Sequence, residues 1–222
     1  MILIVDLNLN RKHVLVIGGG DEGSRKIRGL LDQDCKITVV CDRLNRDLHQ
    51  LRDQGTIEVV KTRIKDSSIL DSYDDLFLVL AATNDKELNR KIVEKARAMR
   101  LFVYAVDDPV FSDFSYASII NIEGIMQVAI STAGRSPIMS RRVRIKAERM
   151  LRKTIKKTDI ENVKLQEFAR AAAKSEIQTV EERKKFLYSL IKNDRIQNLI
   201  KEGKTEDAKS TTLELLREWE KE

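Results

Sequence analysis

Residues 12–23 read Lys-His-Val-Leu-Val-Ile-Gly-Gly-Gly-Asp-Glu-Gly. Lys12 to Ile17 is a short, β-branched apolar run stopped by three glycines, and from Asp21 to Leu31 the side chains of Ile27, Leu30 and Leu31 recur at helical spacing. Strand, turn and helix are predicted in that order. Gly18, Gly20 and Gly23 stand in the pattern G-x-G-x-x-G directly after the strand. Gly18 permits a tight turn, Gly20 lets a pyrophosphate approach the backbone, and the exposed N–H groups at the helix start bind the anion. Taken alone, the pattern is also met by glycine turns that serve only helix packing. Its setting narrows the reading. Lys36 to Val40 is a second strand, and Asp42 lies about 20 residues beyond the glycines, where a carboxylate accepts hydrogen bonds from a ribose diol and repels a 2′-phosphate. A dinucleotide site is predicted, favouring NAD over NADP, with Arg43 beside Asp42 working against that discrimination.

Outward from this turn, strand and helix signals alternate. Leu44 to Gln54 reads as helix, Ile57 to Lys61 as extended, and Leu76 to Ala82 is a continuous apolar run of the kind buried on both faces of a sheet. Asp85 to Arg100 carries Leu88, Ile92, Ala96 and Met99 as a one-sided helical stripe, and Phe102 to Val106 supplies the next strand. This order predicts an α/β chain whose first part is a doubly wound, Rossmann-type parallel sheet with right-handed crossovers. After Asp107 the pattern changes. Ser118 to Ile122 and Ile125 to Ser131 form a hairpin around Glu123 and Gly124, and helices follow at Pro137 to about Ile155, Glu161 to Ala173, Thr179 to Lys192, and a last segment with Leu213, Leu216 and Trp219. The predicted division is a nucleotide domain over 1–112, a hairpin with a basic helix over 113–157, and a helical domain over 158–222.

Composition sets the outer bounds. A chain of 222 residues with 42% hydrophobic and 34% charged residues and only 2 Pro is neither a low-complexity tail nor a stapled miniprotein. Cys35 and Cys41 lack metal-ligand spacing and only His13 and His49 accompany them, so a reducing compartment and no metal site are expected. The opening MILIVDLNLN is short and its cations, Arg11 and Lys12, come after the apolar run, unlike a signal peptide. No window approaches the roughly 20 apolar residues of a membrane span. A cytoplasmic protein without membrane attachment is expected. Charge is uneven: residues 141–222 hold 22 Lys and Arg against 15 Asp and Glu, while residues 1–140 hold 19 against 20. Most of the excess lies in 141–157, where nine cations face Glu148 alone. An anionic partner is expected there. Nucleic acid is disfavoured, because no aromatic side chain interleaves the basic run to stack on bases.

Three further places carry candidate chemistry. Thr83 and Asn84 follow the long apolar strand at the sheet edge where ligands of doubly wound folds lie, and are candidate cofactor contacts; a helix cap by Asn84 or Asp85 accounts for the same residues. Asp107, with Asp108 and Pro109, follows the fifth strand at that edge, where a carboxylate accepts a proton as a hydride leaves; a turn aspartate before proline fits the position as well. The loop Ser131-Thr132-Ala133-Gly134-Arg135-Ser136-Pro137 sets hydroxyls and an arginine before a helix, with Ser136 equally readable as its N-cap. Met139, Val143, Ala147, Met150, Leu151 and Thr154 lie along one side of that helix, and cations cover the rest.

GGGDEGSRK after the first strand, AATND after the fourth, VDDP after the fifth, AIST and GRSP entering a helix, and NDR at 193–195 together resemble the siroheme synthase family in its precorrin-2 dehydrogenase portion. The likeness runs over essentially the whole chain, and no attached methyltransferase domain is expected. It implies oxidation of precorrin-2 to sirohydrochlorin with NAD as hydride acceptor, in a homodimer whose partners exchange contacts through the segment after the nucleotide domain. Some family members also insert ferrous iron, and that step stays open. By the same resemblance Asp107 matches the family's key aspartate. Asp21, Glu22, Asp42 and Arg43 match its NAD contacts, and Ser131, Thr132 and Ser136 match its hydroxyl loop at the tetrapyrrole cleft. Arg135 and the basic helix suit the eight carboxylates of precorrin-2. The chain departs from the family at Tyr104 (usually Asn), Ala133 (a glycine) and Ala117 (a proline). Two other classes compete: an NAD-sensing regulatory module without catalysis, and a nucleic-acid binder using 141–157.

Overall fold

The structure, a computed structural model, describes residues 3–219; Met1 and Ile2, where the apolar opening begins, lie outside them. Five parallel strands form one sheet in the order β3-β2-β1-β4-β5: β1 His13–Ile17, β2 Lys36–Cys41, β3 Glu58–Lys61, β4 Leu76–Ala81 and β5 Phe102–Ala105. The order reverses between β1 and β4, which opens a crevice at their carboxyl ends. The central strands are apolar throughout because both faces are covered. Val14 and Val16 of β1 pack with Ile27, Leu30 and Leu48 on one face, while Leu15 and Ile17 pack with Leu88, Ile92 and Val93 on the other.

The helices α1 (Asp21–Arg28) and α2 (Arg46–Asp53) cover the first face, and α3 (Lys86–Ala98) the second. The glycine turn therefore leads into a helix as predicted, but that helix stops at Arg28 with Gly29 as its cap instead of running to Leu31. Asn45 starts α2 by accepting from the Leu48 N–H, and Asp85 starts α3 by accepting from the Leu88 N–H. A 3-10 helix at Ser67–Ser72, absent from the sequence reading, crosses between β3 and β4 and buries Leu70.

The hairpin pairs β6 (Ser118–Ile122) with β7 (Met126–Ile130), antiparallel as predicted, and Glu123 and Gly124 both take positive φ (+53° and +71°), the geometry that matches strand twist in a tight turn. Five helices follow: α4 (Pro137–Thr154), α5 (Lys157–Glu176), α6 (Val180–Lys192), α7 (Asp194–Lys201) and α8 (Thr205–Trp219). The helix α7 is a correction, since Asn193 ends α6 and caps α7 at once, a break too tight for periodicity to reveal. The hairpin, α4 and Ile160 share one apolar cluster, and α5 to α8 close around Phe186 and Leu190 in another.

The chain divides into two compact units. One holds the sheet through Tyr116 with Ala133–Arg135, and the other holds Ala117–Thr132 and the residues from Ser136 onward.

Candidate functional site

The glycine turn is built by exclusion of side chains. Gly18 has φ +121°, and a Cβ there would lie 2.2 Å from the Ala82 carbonyl oxygen. Gly23 sits with its Cβ position 2.5 Å from the Gly18 carbonyl oxygen, which brings α1 close to β1. Gly19, an x position of the pattern, proves equally constrained: a Cβ would meet the Arg43 carbonyl oxygen at 2.2 Å. Gly20 alone faces open space, with nothing within 4 Å. Packing demands the first three, whereas Gly20 leaves its backbone accessible at the N-terminus of α1. No side chain caps that helix. Such a terminus suits an anion.

An open crevice of about 640 Å³ lies over this turn, walled by Gly18, Gly19, Gly20, Asp42, Arg43, Asn45, Arg63, Thr83, Asn84 and Asp85 among others. The structure thus gathers Gly18, Gly20, Asp42, Arg43, Thr83 and Asn84 around one space. Asp21 joins it indirectly, accepting from Asn45 Nδ2 at 3.1 Å, and Asn45 N–H donates to the Gly19 carbonyl at 2.9 Å. Glu22 is paired with Arg25 on the exposed face of α1. Cys41 sits under the turn; burial and the adjacent Asp42 carboxylate push its thiol up, so it is packing and not a nucleophile. A glycine cradle, a free helix N-terminus and a carboxylate after β2 fit a dinucleotide: the turn for the pyrophosphate, Asp42 for a ribose.

Asp107 follows β5 at the same carboxyl edge but is not a wall of this crevice. Its Oδ1 accepts from Asn89 Nδ2 at 2.6 Å. Asn89 is 1% exposed on α3, and its amide also binds Thr83: Oδ1 accepts from the Thr83 N–H (3.2 Å) and hydroxyl (2.7 Å), and Nδ2 donates to the Thr83 carbonyl (3.1 Å). Sequence reasoning missed Asn89. The available signal was an amide set between Leu88 and Ile92 on a buried helical face, where a polar group must find partners.

Tyr104 turns away from Asp107 to the opposite face of the sheet. Lys26 Nζ stands 4.4 Å from its ring centre and 3.7 Å from that of Tyr116, and Phe114 completes the cluster. Desolvation, helped by the Arg25 charge, brings the Lys26 ammonium down to about 8.

In the second unit Ser136 Oγ accepts from the Met139 N–H at 3.2 Å and caps α4, with Pro137 in the first turn. The Thr132 hydroxyl accepts from the Ser136 N–H (3.0 Å) and lies 3.0 Å from Ser140 Oγ, so it clamps the loop. Ser131 and Arg135 are exposed, with Ala133 and Gly134 between them at positive φ. On α4, Ala147 and Leu151 pack on the hairpin, but Met139, Val143 and Met150 are exposed, so the apolar side is only partly buried within the chain. Arg144 and Arg152 pair with Glu148, and the Arg152 hydrogen bond holds that carboxyl below its usual range. Arg141, Arg142, Lys146, Arg149 and Lys153 have no ion-pair partner among the described residues. Nor, among these residues, do three or more His, Cys, Asp or Glu side chains gather to hold a metal ion.

Comparison with known proteins agrees with this geometry. The chain is 34% identical to a siroheme synthase of Actinobacillus succinogenes over 203 residues, covering 91% of this chain and 40% of that protein. It is 32% identical to siroheme synthases of Neisseria meningitidis serogroup C (90% and 40%) and Escherichia coli O139:H28 (95% and 44%). It thus spans about two fifths of the length of the curated relatives it matches. A solved structure titled "SirC, precorrin-2 dehydrogenase" has the same fold, with a TM-score of 0.67, 20% identity, and coverage of 98% of this chain and 100% of the other. Residues 5–118 match the model of the family described as "Putative NAD(P)-binding", and through them the chain belongs to that NAD(P)-binding family.

Proposed function

We propose that this chain is an NAD-dependent dehydrogenase that converts precorrin-2 to sirohydrochlorin. The observation that carries the reading is the link from Asp107 through Asn89 to Thr83: a carboxylate at the sheet edge is tied to a wall of the dinucleotide crevice. Gly18, Gly20 and the first turn of α1 would hold the pyrophosphate, Asp42 a ribose, and Thr83 and Asn84 the nicotinamide half. NAD bound there supplies the hydride acceptor. Asp107 takes the proton that the macrocycle loses with the hydride, so that two electrons and two protons leave precorrin-2 in each turnover. Its Oδ1 is occupied by Asn89, and Oδ2, which has no partner among the described residues, is the oxygen that receives the proton.

The carboxylates of precorrin-2 suit Arg135, the Ser131, Thr132 and Ser136 loop, and the unpaired cations of α4. The siroheme synthase relatives and their shared extent support this substrate. The exposed Met139, Val143 and Met150 support a homodimer formed through the hairpin and α4 segment. Among the described residues no helix is long and apolar enough to cross a membrane. A cytoplasmic location is part of the proposal.

The test is absorbance at the NADH band with precorrin-2 and NAD. Asp107→Ala is expected to abolish NADH formation while NAD affinity, measured by calorimetry, stays within about twofold. Full turnover by the variant would remove Asp107 from the reaction, and NAD binding without any tetrapyrrole-dependent signal in the unmodified protein would leave a nucleotide sensor.

A further inference from the structure

We infer that Asn89 is a positioning residue for the proton acceptor, fixing with one buried amide both Thr83 in the crevice wall and the Asp107 carboxylate. The inference rests on the role proposed for Asp107.

The chemistry of the partners settles the orientation of the amide. The Thr83 N–H can only donate, so the atom 3.2 Å from it must be the Asn89 oxygen. The nitrogen then faces the Thr83 carbonyl at 3.1 Å and Asp107 Oδ1 at 2.6 Å, and each takes one of its two hydrogens. All the donor capacity of the side chain is used, and its oxygen accepts twice. Packing does not call for an amide here. Leu88, Ile92, Val93 and Ala96 make the rest of the buried face of α3, and an apolar side chain would serve as well against the sheet. The amide is needed only by the two loops it joins.

The consequence falls on Asp107, an exposed side chain on a loop. Without a fixed donor its carboxylate samples several rotamers; with Asn89 holding Oδ1, Oδ2 keeps one direction. The nearby carboxylates do not compete for the amide: Asp85 Oδ1 accepts from the Leu88 N–H, and Asp108 Oδ1 from the Phe111 N–H at 3.0 Å. Because the same amide grips Thr83, the crevice wall and the proton acceptor share one reference point.

Two variants test this beside Asp107→Ala. Asn89→Leu keeps the packing and removes every hydrogen bond, and is expected to lower kcat about 100-fold with little change in the KM for precorrin-2, as a misplaced catalytic group does. Asn89→Asp keeps the acceptor for Thr83 and can reach Asp107 only when the carboxyl pair shares a proton. Its activity should persist at acid pH and fall as the second proton leaves, giving an alkaline limb that is expected to be absent from the profile of the unmodified protein. In the protein without NAD, the Asn89 side-chain NH₂ signal in a 15N-resolved NMR titration should follow ionisation of Asp107 and lose that inflection in Asp107→Ala. Unchanged kcat in both Asn89 variants, or a lowered melting temperature with an unaltered pH profile, would overturn the inference while an inactive Asp107→Ala still upheld the dehydrogenase reading. An active Asp107→Ala would overturn both.

Discussion

Gly18 and Ala82 meet backbone to backbone: at φ +121°, Gly18 places its missing Cβ 2.2 Å from the Ala82 carbonyl oxygen, which seals the end of β1 against the end of β4. That contact forms the floor of the crevice. Any side chain at 18 must both adopt a left-handed backbone and displace a strand end.

Gly18→Ala should therefore destabilise the fold by about 3 kcal/mol, from the left-handed backbone and the clash together. Gly20→Ala should leave the melting temperature nearly unchanged, because nothing lies within 4 Å of the added methyl. It should still weaken NAD binding about tenfold by crowding the pyrophosphate, roughly 1.4 kcal/mol. Denaturant melts and calorimetry on the pair separate packing from binding; equal losses of stability in the two variants would contradict the assignment.

Asp42 is exposed at the end of β2, with Arg43 and Arg63 in the same crevice. Asp42→Ser removes the repulsion of a 2′-phosphate and leaves those cations in place. The ratio of NADP to NAD affinity is expected to rise by about tenfold or more. An unchanged ratio would show that the ribose lies elsewhere.

Lys26 titrates near 8 in the folded chain, below the roughly 10.4 of an unfolded lysine. Between these values the unfolded chain binds the extra proton, so this group makes stability rise with pH across that window, and its full desolvation penalty is present below 8. Denaturant melts of the unmodified protein and Lys26→Met at pH 7 and pH 10 should show the difference between them shifting in favour of the unmodified protein at the higher pH. Burial also pushes the Tyr104 and Tyr116 hydroxyls up, which keeps both rings neutral.

The proposed dimer puts the exposed stripe of α4 at its centre. Val143→Glu with Met150→Glu should shift sedimentation toward the monomer without unfolding the chain, because neither side chain belongs to the apolar cluster between α4 and the hairpin. Sedimentation unaltered by two buried charges would place the interface on another face.

Much of this was legible in the order of residues. The short apolar run of β1, the continuous apolar run of β4 and the stripe of α3 are local patterns, and each survives in the tertiary packing. The hairpin was legible for the same reason, through Glu123 and Gly124. The 3-10 helix at Ser67–Ser72 and the separate α7 were not: six residues are too few for a period to appear, and α7 follows α6 with Asn193 alone between them, so its apolar stripe reads as a continuation of the preceding helix.

The sequence by itself determined the doubly wound architecture, the glycine turn and the acid that follows β2, because strand burial, left-handed backbone and charge are properties of residues and their immediate neighbours. Only the tertiary structure decided that Gly19 is as constrained as Gly18, that Tyr104 serves Lys26 and not Asp107, and that Asn89 joins Thr83 to Asp107. Those relations hold between side chains brought together from separate strands and helices, and depend on register and distance across the sheet, which no local pattern encodes.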